Sequence, residues 1–171
     1  MKKKYVLTAI AAMSILQVSA QKKLYTEQYR PQFHFSPATN WCNDPNGLVY
    51  NNGTYHLFYQ HNPFGNRWGH MTWAHATSRD LIHWKHLPIA IPEENGIMIF
   101  SGTCVVDKNN ASGFGKDGKI PMVAVYTGHK ENVNQSQCIA YSLDDGITWT
   151  DRKSPRLNSS HSRRSRMPSS A

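Results

Sequence analysis

One carboxylate in this chain stands among groups that would hold it ionised. Asp44 lies in the stretch WCNDPNG, residues 41–47, between Asn43 and Asn46. Amide side chains and turn N–H groups donate hydrogen bonds that favour the charged form of a carboxyl group. A carboxylate kept ionised beside a binding cleft is suited to act as a nucleophile. Asn, Asp, Pro and Gly are also the residues that turns prefer, so the alternative is that Asp44 only closes a turn.

Other side chains combine flat apolar faces with polar groups that could hold a polar ligand. Gln60 follows an aromatic pair, and its amide can both donate to and accept from hydroxyl groups. Trp41 and Trp68 offer flat apolar faces to a C–H surface while their indole N–H groups reach a polar partner. Phe100 and Ser101 would add one apolar wall and one hydroxyl group. These five residues are the candidate binding side chains, together with Asn43.

The elements that must position these residues read as short strands. GLVY, NNG and TYHLFYQ, residues 47–60, form a predicted hairpin, because Asn52-Gly53 supplies the positive backbone angles of a tight turn. Alternation predicts Tyr55, Leu57 and Tyr59 on one face of the second strand. Further strand candidates are MTWAHATS, GIMIFSGTCVV, PMVAVYTG and QCIAYS, and no long amphipathic helix is predicted.

Two segments echo each other. ATSRDLIHW, residues 76–84, and AYSLDDGITW, residues 140–149, share the order strand, Ser, Asp, turn and aromatic residue. The second fits the aspartate-box pattern of hairpin turns, so Asp144 and Trp149 are predicted to be structural. Repeated hairpin units predict an all-β propeller. About 130 residues would supply only two to three blades at roughly 40–50 residues each.

Composition excludes one class of partner. The formal net charge of +8 comes from the two ends, because residues 21–150 contain 10 basic and 10 acidic residues. A neutral body gives no support for a nucleic-acid-binding surface. The three cysteines and nine histidines show no metal-ligand spacing, so no metal or other cofactor is predicted.

The two ends have their own patterns. Residues 1–20 combine a basic start, an apolar middle and a small-residue end, which predicts a signal peptide and export to the periplasm or the outside of the cell. No cysteine follows the cleavage position, so no membrane anchor is predicted. Residues 152–171 have almost no large apolar side chains, and we interpret them as a tail that is either disordered or translated cloning sequence.

Four motifs in order resemble glycoside hydrolase family 32, the family of invertases, levanases and inulinases. They are WCNDPNG, FYQHNP at 58–63, WGHMTWAHATSRDLIHW at 68–84 and FSGT at 100–103. The resemblance covers about residues 33–149 and implies that 21–151 are the N-terminal part of a five-bladed propeller. It also implies hydrolysis of terminal β-D-fructofuranosidic bonds in sucrose or fructans such as levan and inulin.

The resemblance gives the candidate residues their roles. Asp44 corresponds to the nucleophile of a retaining reaction, which pairs a carboxylate with a carboxylic acid about 5–5.5 Å away. Asn43, Gln60, Trp68 and Ser101 match positions around the terminal fructosyl unit, and Trp41 and Phe100 complete the expected sugar pocket.

Two departures from the family pattern affect the expectation. Cys42 stands where the family usually has Met, and both side chains are soft and apolar. The family's Arg-Asp-Pro and Glu-Cys motifs, which supply the transition-state stabiliser and the acid/base, do not occur in this sequence. We therefore expect this chain to be inactive alone, although its full-length parent is expected to be a hydrolase.

Two alternatives stay open at this point. The chain could be a non-catalytic fructan-binding fragment that holds the pocket without the acid. A sialidase would also use aspartate boxes, but it needs an arginine cluster for its substrate's carboxylate. Arg30, Arg67 and Arg79 are the only arginines in the body, and their spacing does not tie them together.

Overall fold

Eight antiparallel strands form two four-stranded sheets in the computed structural model, which describes residues 24–152. The first sheet has the order β1-β2-β3-β4 and the second has the order β5-β6-β7-β8. The strands are β1 Trp41–Asn51, β2 Thr54–Asn62, β3 Thr72–Ser78, β4 Trp84–Ile91, β5 Ile97–Val106, β6 Met122–Lys130, β7 Asn134–Ser142 and β8 Thr150–Arg152. Each sheet is a meander whose strands are neighbours in both sequence and space, which is the architecture of a propeller blade.

The all-β class is confirmed, because no described residue is helical. Two complete blades are present, at the lower end of the predicted two to three. Within the described range, no helix is long and apolar enough to cross a membrane. The predicted signal peptide at 1–20 and residues 153–171 of the predicted tail lie outside the described residues. Residues 24–30 precede the strands and hold a local ion pair between Arg30 and Glu27, at 2.6 Å.

The predicted hairpin joins β1 to β2. Asn51 pairs with Thr54, and the two turn residues have positive φ angles of 47° at Asn52 and 80° at Gly53. The predicted alternation along β2 is also confirmed, because its two faces join different clusters. Phe58 packs with buried side chains of both sheets, whereas Leu57 and Tyr59 pack with Phe35 and Trp84 on the other face of the first sheet.

The principal core lies between the two sheets. Phe58 and Trp73 from the first sheet and Met122, Ala124 and Tyr126 from the second are fully buried there. The ring of Trp73 lies 5.9 Å from that of Tyr126, centroid to centroid. Burial of a large apolar side chain contributes about 1.5–3 kcal/mol, so this cluster is the main attraction between the two blades.

The turns that echo each other in sequence have the same place in the two sheets. One joins β3 to β4 and the other joins β7 to β8. Ser78 donates to Asp80 at 3.0 Å, and Ser142 donates to Asp144 at 2.7 Å. In both turns the following tryptophan donates its indole N–H to a carbonyl of the turn. The repeat is therefore a structural one: each blade closes its third hairpin with the same arrangement.

Two features of the strands were not predicted. The β4 strand contains Pro88, and it lies at the edge of its sheet, where a residue without an N–H is tolerated. The β1 strand begins at Trp41 and runs through Asp44 to Asn51, so the expectation of a turn before a strand that starts at Gly47 was wrong. Bulges accommodate the turn-forming residues within the strand.

Candidate active site

Bulges in the first strands of the two blades turn the candidate side chains toward each other. The register of β1 against β2 shifts between Cys42 and Pro45, around Asp44. The register of β5 against β6 shifts between Ile99 and Gly102, around Ser101. An extra residue in a strand re-aims the local side chains. As a result, Ser101 Oγ donates a 2.5 Å hydrogen bond to Asp44 Oδ2, although the two residues are 57 positions apart.

A chain of hydrogen bonds connects five of the candidate residues. Trp41 Nε1 donates to Asn43 Oδ1 at 2.8 Å, and Asn43 Nδ2 donates to Gln60 Oε1 at 2.5 Å. Gln60 Nε2 then donates to Ser101 Oγ at 3.1 Å, and Ser101 donates to Asp44. The structure therefore brings together most of the residues that the sequence predicted.

The direction of this hydrogen-bond chain follows from its two ends. An indole N–H can only donate, and an ionised carboxylate can only accept. Asn43 must therefore present its oxygen to Trp41, which leaves its nitrogen for Gln60. The same logic passes through Gln60 to the hydroxyl of Ser101, whose proton goes to Asp44. The arrangement leaves one oxygen of Asp44 hydrogen-bonded to Ser101.

A close approach of the two first strands permits this contact. Gly47 has a φ of +44°, and a Cβ atom placed on it would lie 2.5 Å from Cβ of Cys104 in β5. Next to it, Gly102 N donates to Asn46 Oδ1 at 3.2 Å. The buried amide of Asn46 therefore joins the blades, which corrects its predicted place among the donors around Asp44.

The aromatic candidates form a wall beside the bulge of β5. Trp68 is 55% exposed, and its ring lies 6.0 Å from that of Phe100 at an interplanar angle of 67°. The carbonyl oxygen of Phe100 accepts a 3.0 Å hydrogen bond from Nε1 of Trp73, which fixes the bulge from beneath. The Phe100 ring is also stacked on His129, with 4.6 Å between the ring centroids. Sequence reasoning missed His129, because an isolated histidine in a hairpin has no spacing signal.

The pKa values of two side chains near Asp44, Cys42 and His61, are shifted in the direction that favours their neutral forms. Burial raises the pKa of the Cys42 thiol to about 11, and the charge of Asp44 raises it further in the same direction. Burial lowers the pKa of His61, although its hydrogen bond from Nδ1 to the carbonyl of Trp41, at 2.8 Å, opposes that shift. Cys42 is thus a protonated packing side chain at neutral pH, and all three cysteines are free.

The aspartates of the repeated turns are unsuited to donate protons. Hydrogen bonds from the side chain and backbone of His83 lower the pKa of Asp80. Partial burial opposes ionisation of Asp144, but hydrogen bonds from Thr148 and Ser142 outweigh it and lower the pKa. A general acid needs a raised pKa, so neither carboxylate is suited to that role. Among the described residues, no group of three or more His, Cys, Asp or Glu side chains could hold a metal ion.

A separate cavity of about 230 Å³ lies between β4 and the second sheet, away from the candidate residues. Its lining includes Ile91, Ile97, Tyr126 and Trp149. Burial and the neighbouring Asp151 raise the pKa of the Tyr126 phenol, so this group is neutral. The cavity lining shares no residue with the hydrogen-bond chain, and the site described above is the one that the motifs predicted.

Comparison with known families agrees with this geometry. The family model described as glycosyl hydrolases family 32 N-terminal domain matches residues 34–169. The chain belongs to glycoside hydrolase family 32. The two sheets are therefore two blades of the family's five-bladed propeller.

Two curated relatives with high sequence identity are a levanase and an exo-inulinase. A levanase of Bacillus subtilis is 54% identical over 144 residues, which are 84% of this chain and 21% of that protein. An extracellular exo-inulinase of Aspergillus niger is 53% identical over 143 residues, which cover 74% of this chain and 27% of that protein.

Solved structures of family 32 enzymes match the fold as well. The exo-inulinase of Aspergillus awamori has a TM-score of 0.70 at 50% identity, covering 79% of this chain and 29% of the other. A fructofuranosidase of Schwanniomyces occidentalis complexed with fructosylnystose has a TM-score of 0.70 at 46% identity, covering 75% and 26%. The chain thus spans between a fifth and a third of the length of these relatives.

Proposed function

We propose that the full-length protein hydrolyses terminal β-D-fructofuranosidic bonds in sucrose or in fructans such as levan and inulin. The observation that carries the proposal is the hydrogen-bond chain that ends on Asp44. The relatives named above support the substrate class, because they are a levanase and exo-inulinases. Export is part of the proposal, supported by the predicted signal at 1–20 and by the extracellular exo-inulinase among the relatives.

Asp44 acts as the nucleophile of a retaining reaction. Ser101 is bonded to Oδ2, so we assign the attack on the anomeric carbon to Oδ1. The new carboxylate–carbon bond forms as the bond to the leaving oxygen breaks, and a separate carboxylic acid gives that oxygen its proton. Water then releases fructose from the enzyme with the anomeric configuration of the substrate. Trp41, Asn43 and Gln60 position the carboxylate and offer polar groups to the fructosyl hydroxyls.

The 171-residue chain is proposed to be inactive alone. It lacks the two family motifs that supply the transition-state stabiliser and the acid/base, and general acid/base assistance typically contributes about 10²–10⁴-fold. We propose that the family domain of this chain ends at residue 151 although the family model extends to residue 169, because residues 152–171 have almost no large apolar side chains. Hydrolysis of sucrose, inulin or levan by the purified chain would contradict this part of the proposal.

The decisive experiment compares two isosteric substitutions in the full-length protein. Asp44→Asn should lower kcat by about 10³-fold or more with a small change in KM, since it removes a group that acts in the transition state. Asp117→Asn is the matched control, because Asp117 lies in an exposed turn. NMR of the first product formed should show the β-anomer of fructose. Equal activity of the two variants, or an inverted product, would refute the assigned mechanism.

Fructan binding without catalysis is the second candidate function for the chain as it stands. The observation in its favour is that the whole hydrogen-bond chain lies within residues 41–101, so the pocket does not depend on the missing acid. Titration with sucrose or inulin oligosaccharides, followed by NMR shifts of the Trp41 indole N–H, tests it. Millimolar binding that is lost in Gln60→Ala would support this function, and the absence of shifts would exclude it.

A further inference from the structure

An aromatic row extends from the candidate site onto the second blade. It begins at the exposed Trp68, continues through the ring of Phe100 and ends on the imidazole of His129. The Phe100 and His129 rings are nearly parallel, with an interplanar angle of 18° and a centroid separation of 4.6 Å. Since Phe100 directly precedes Ser101 in the same bulge, the middle of the row lies next to the residue that donates to Asp44, and His129 extends the row onto β6.

The hairpin between β6 and β7 holds His129 in place. His129 and Gln135 are cross-strand partners, and Gln135 Nε2 lies 3.1 Å from His129 Nδ1. The amide nitrogen can only donate, so Nδ1 accepts and a neutral ring carries its proton on Nε2. Stacking on Phe100 and the bond to Gln135 together fix the plane of the imidazole, which is half-buried.

This combination has the chemistry of a sugar contact. A fixed ring plane packs against the C–H face of a sugar ring, and an N–H at its edge donates to a hydroxyl group. The exposed amide of Gln135 adds a second group that can both donate and accept. Because these groups are already held by the fold, little side-chain entropy would be lost when a sugar binds.

We propose that His129 and Gln135 form a second sugar-binding position, which takes the sugar ring on the leaving-group side of the bond that Asp44 attacks. Continuity with Phe100 and Ser101 argues for this occupant, because the ring next to the terminal fructosyl unit must leave the pocket along its wall. The inference rests on the proposed function and deepens it, since it assigns part of the substrate selectivity to the β6–β7 hairpin.

Comparing two kinds of substrate distinguishes a contribution of this position from a contribution of the fructosyl pocket. In the full-length protein, His129→Ala should lower kcat/KM for sucrose and for short inulin oligosaccharides about three- to tenfold. The same variant should leave kcat/KM for methyl β-D-fructofuranoside unchanged, because that substrate has no second ring. His129→Phe keeps the stacking on Phe100 but not the N–H, so it should recover part of the loss.

A matched control comes from the same hairpin. Gln137 Nε2 donates to Thr127 Oγ1 at 2.9 Å across the same two strands. Gln137→Ala removes a cross-strand hydrogen bond of this hairpin and leaves the side chains of Trp68, Phe100, His129 and Gln135 unchanged. If it lowers the activity on sucrose as much as His129→Ala does, hairpin stability explains the effect and the proposal is overturned.

The remaining outcomes are also distinguishable. A loss in His129→Ala that is equal for both substrates, or no loss with either, overturns the second position but leaves the proposed function intact. If the wild-type protein cleaves neither substrate, the proposed function fails. Sucrose binding, followed by the NMR signals of the His129 ring, then decides the position by itself: a sucrose-dependent shift supports it, and its absence overturns it.

Discussion

Replacing Gly47 with alanine would disturb a place where the first strands of the two blades lie close together. Gly47 has a positive φ of 44°, and its added Cβ would lie 2.5 Å from Cβ and 2.9 Å from the backbone nitrogen of Cys104. The second neighbour is backbone, so the strain cannot be relieved by rotating a side chain. We expect β1 and β5 to separate, which would lengthen the hydrogen bond between Ser101 and Asp44.

The magnitude has two parts. A non-glycine residue in the left-handed region costs about 1–2 kcal/mol. Overpacking a well-packed contact costs a further 1–3 kcal/mol, roughly. Gly53→Ala isolates the first part, because Gly53 has a φ of +80° but nothing lies within 4 Å of its added Cβ. The difference between the two variants should therefore be about 1–3 kcal/mol, a large fraction of the stability of an ordinary domain.

Urea unfolding followed by tryptophan fluorescence measures this difference. The midpoint of Gly47→Ala should fall below that of Gly53→Ala, with similar dependence of the free energy on urea concentration. In the full-length protein, Gly47→Ala should also lower kcat whereas Gly53→Ala should not. Equal midpoints for the two variants would refute the argument that the close approach of the strands demands glycine at position 47.

Three other perturbations test separate parts of the structure. Acid should destabilise the two blades, because burial lowers the pKa of His75 to about 4 and also lowers that of His56. Unfolded histidines bind protons below about pH 6.5 and these folded ones do not, so the free energy of unfolding should fall between pH 6.5 and 4, by about 3 kcal/mol for His75. Urea titrations of His75→Phe should show a shallower pH dependence, and an unchanged dependence would contradict the assignment. Trp41→Phe removes the donor that orients the amides leading to Asp44, so kcat/KM of the full-length protein should drop about tenfold, and unaltered kinetics would show that the amides need no such donor. Asp144→Asn should lower the free energy of unfolding by about 1–3 kcal/mol through its lost turn hydrogen bonds while kcat stays the same; a thermal melt and a rate measurement check both, and a selective loss of kcat would place Asp144 in the site.

Local chemistry made part of the fold predictable from sequence. Asn-Gly between two segments of alternating apolar and polar residues is typical of a β-hairpin turn. The structure has a hairpin turn at Asn52-Gly53. The repeated turns were also predictable, because Ser, Asp and Trp at matching spacing satisfy one another within a few residues. In each of these cases the partners that decide the structure lie close in sequence.

The strand that carries Asp44 shows where such reasoning fails. Asn43, Asp44, Pro45 and Gly47 are all turn formers, so the stretch favours a turn when it is considered alone. In the fold it is the first half of an eleven-residue strand, because pairing with β2 continues on both sides and two register shifts absorb the extra residues. Tertiary pairing overrides local preference here, and only the register reveals it.

The candidate site depends on a relation that no local pattern encodes. Asp44 and Ser101 lie in bulges of the first strands of two successive blades, so the repeated architecture supplies the same kind of position twice. The residues in the two bulges share no sequence pattern, since one carries Asn-Asp and the other Phe-Ser. Their hydrogen bond forms only because the two strands approach closely at Gly47. The resemblance of the motifs to the family could therefore identify Asp44 and Ser101 as site residues. The distance between the two side chains follows from the packing of the two blades.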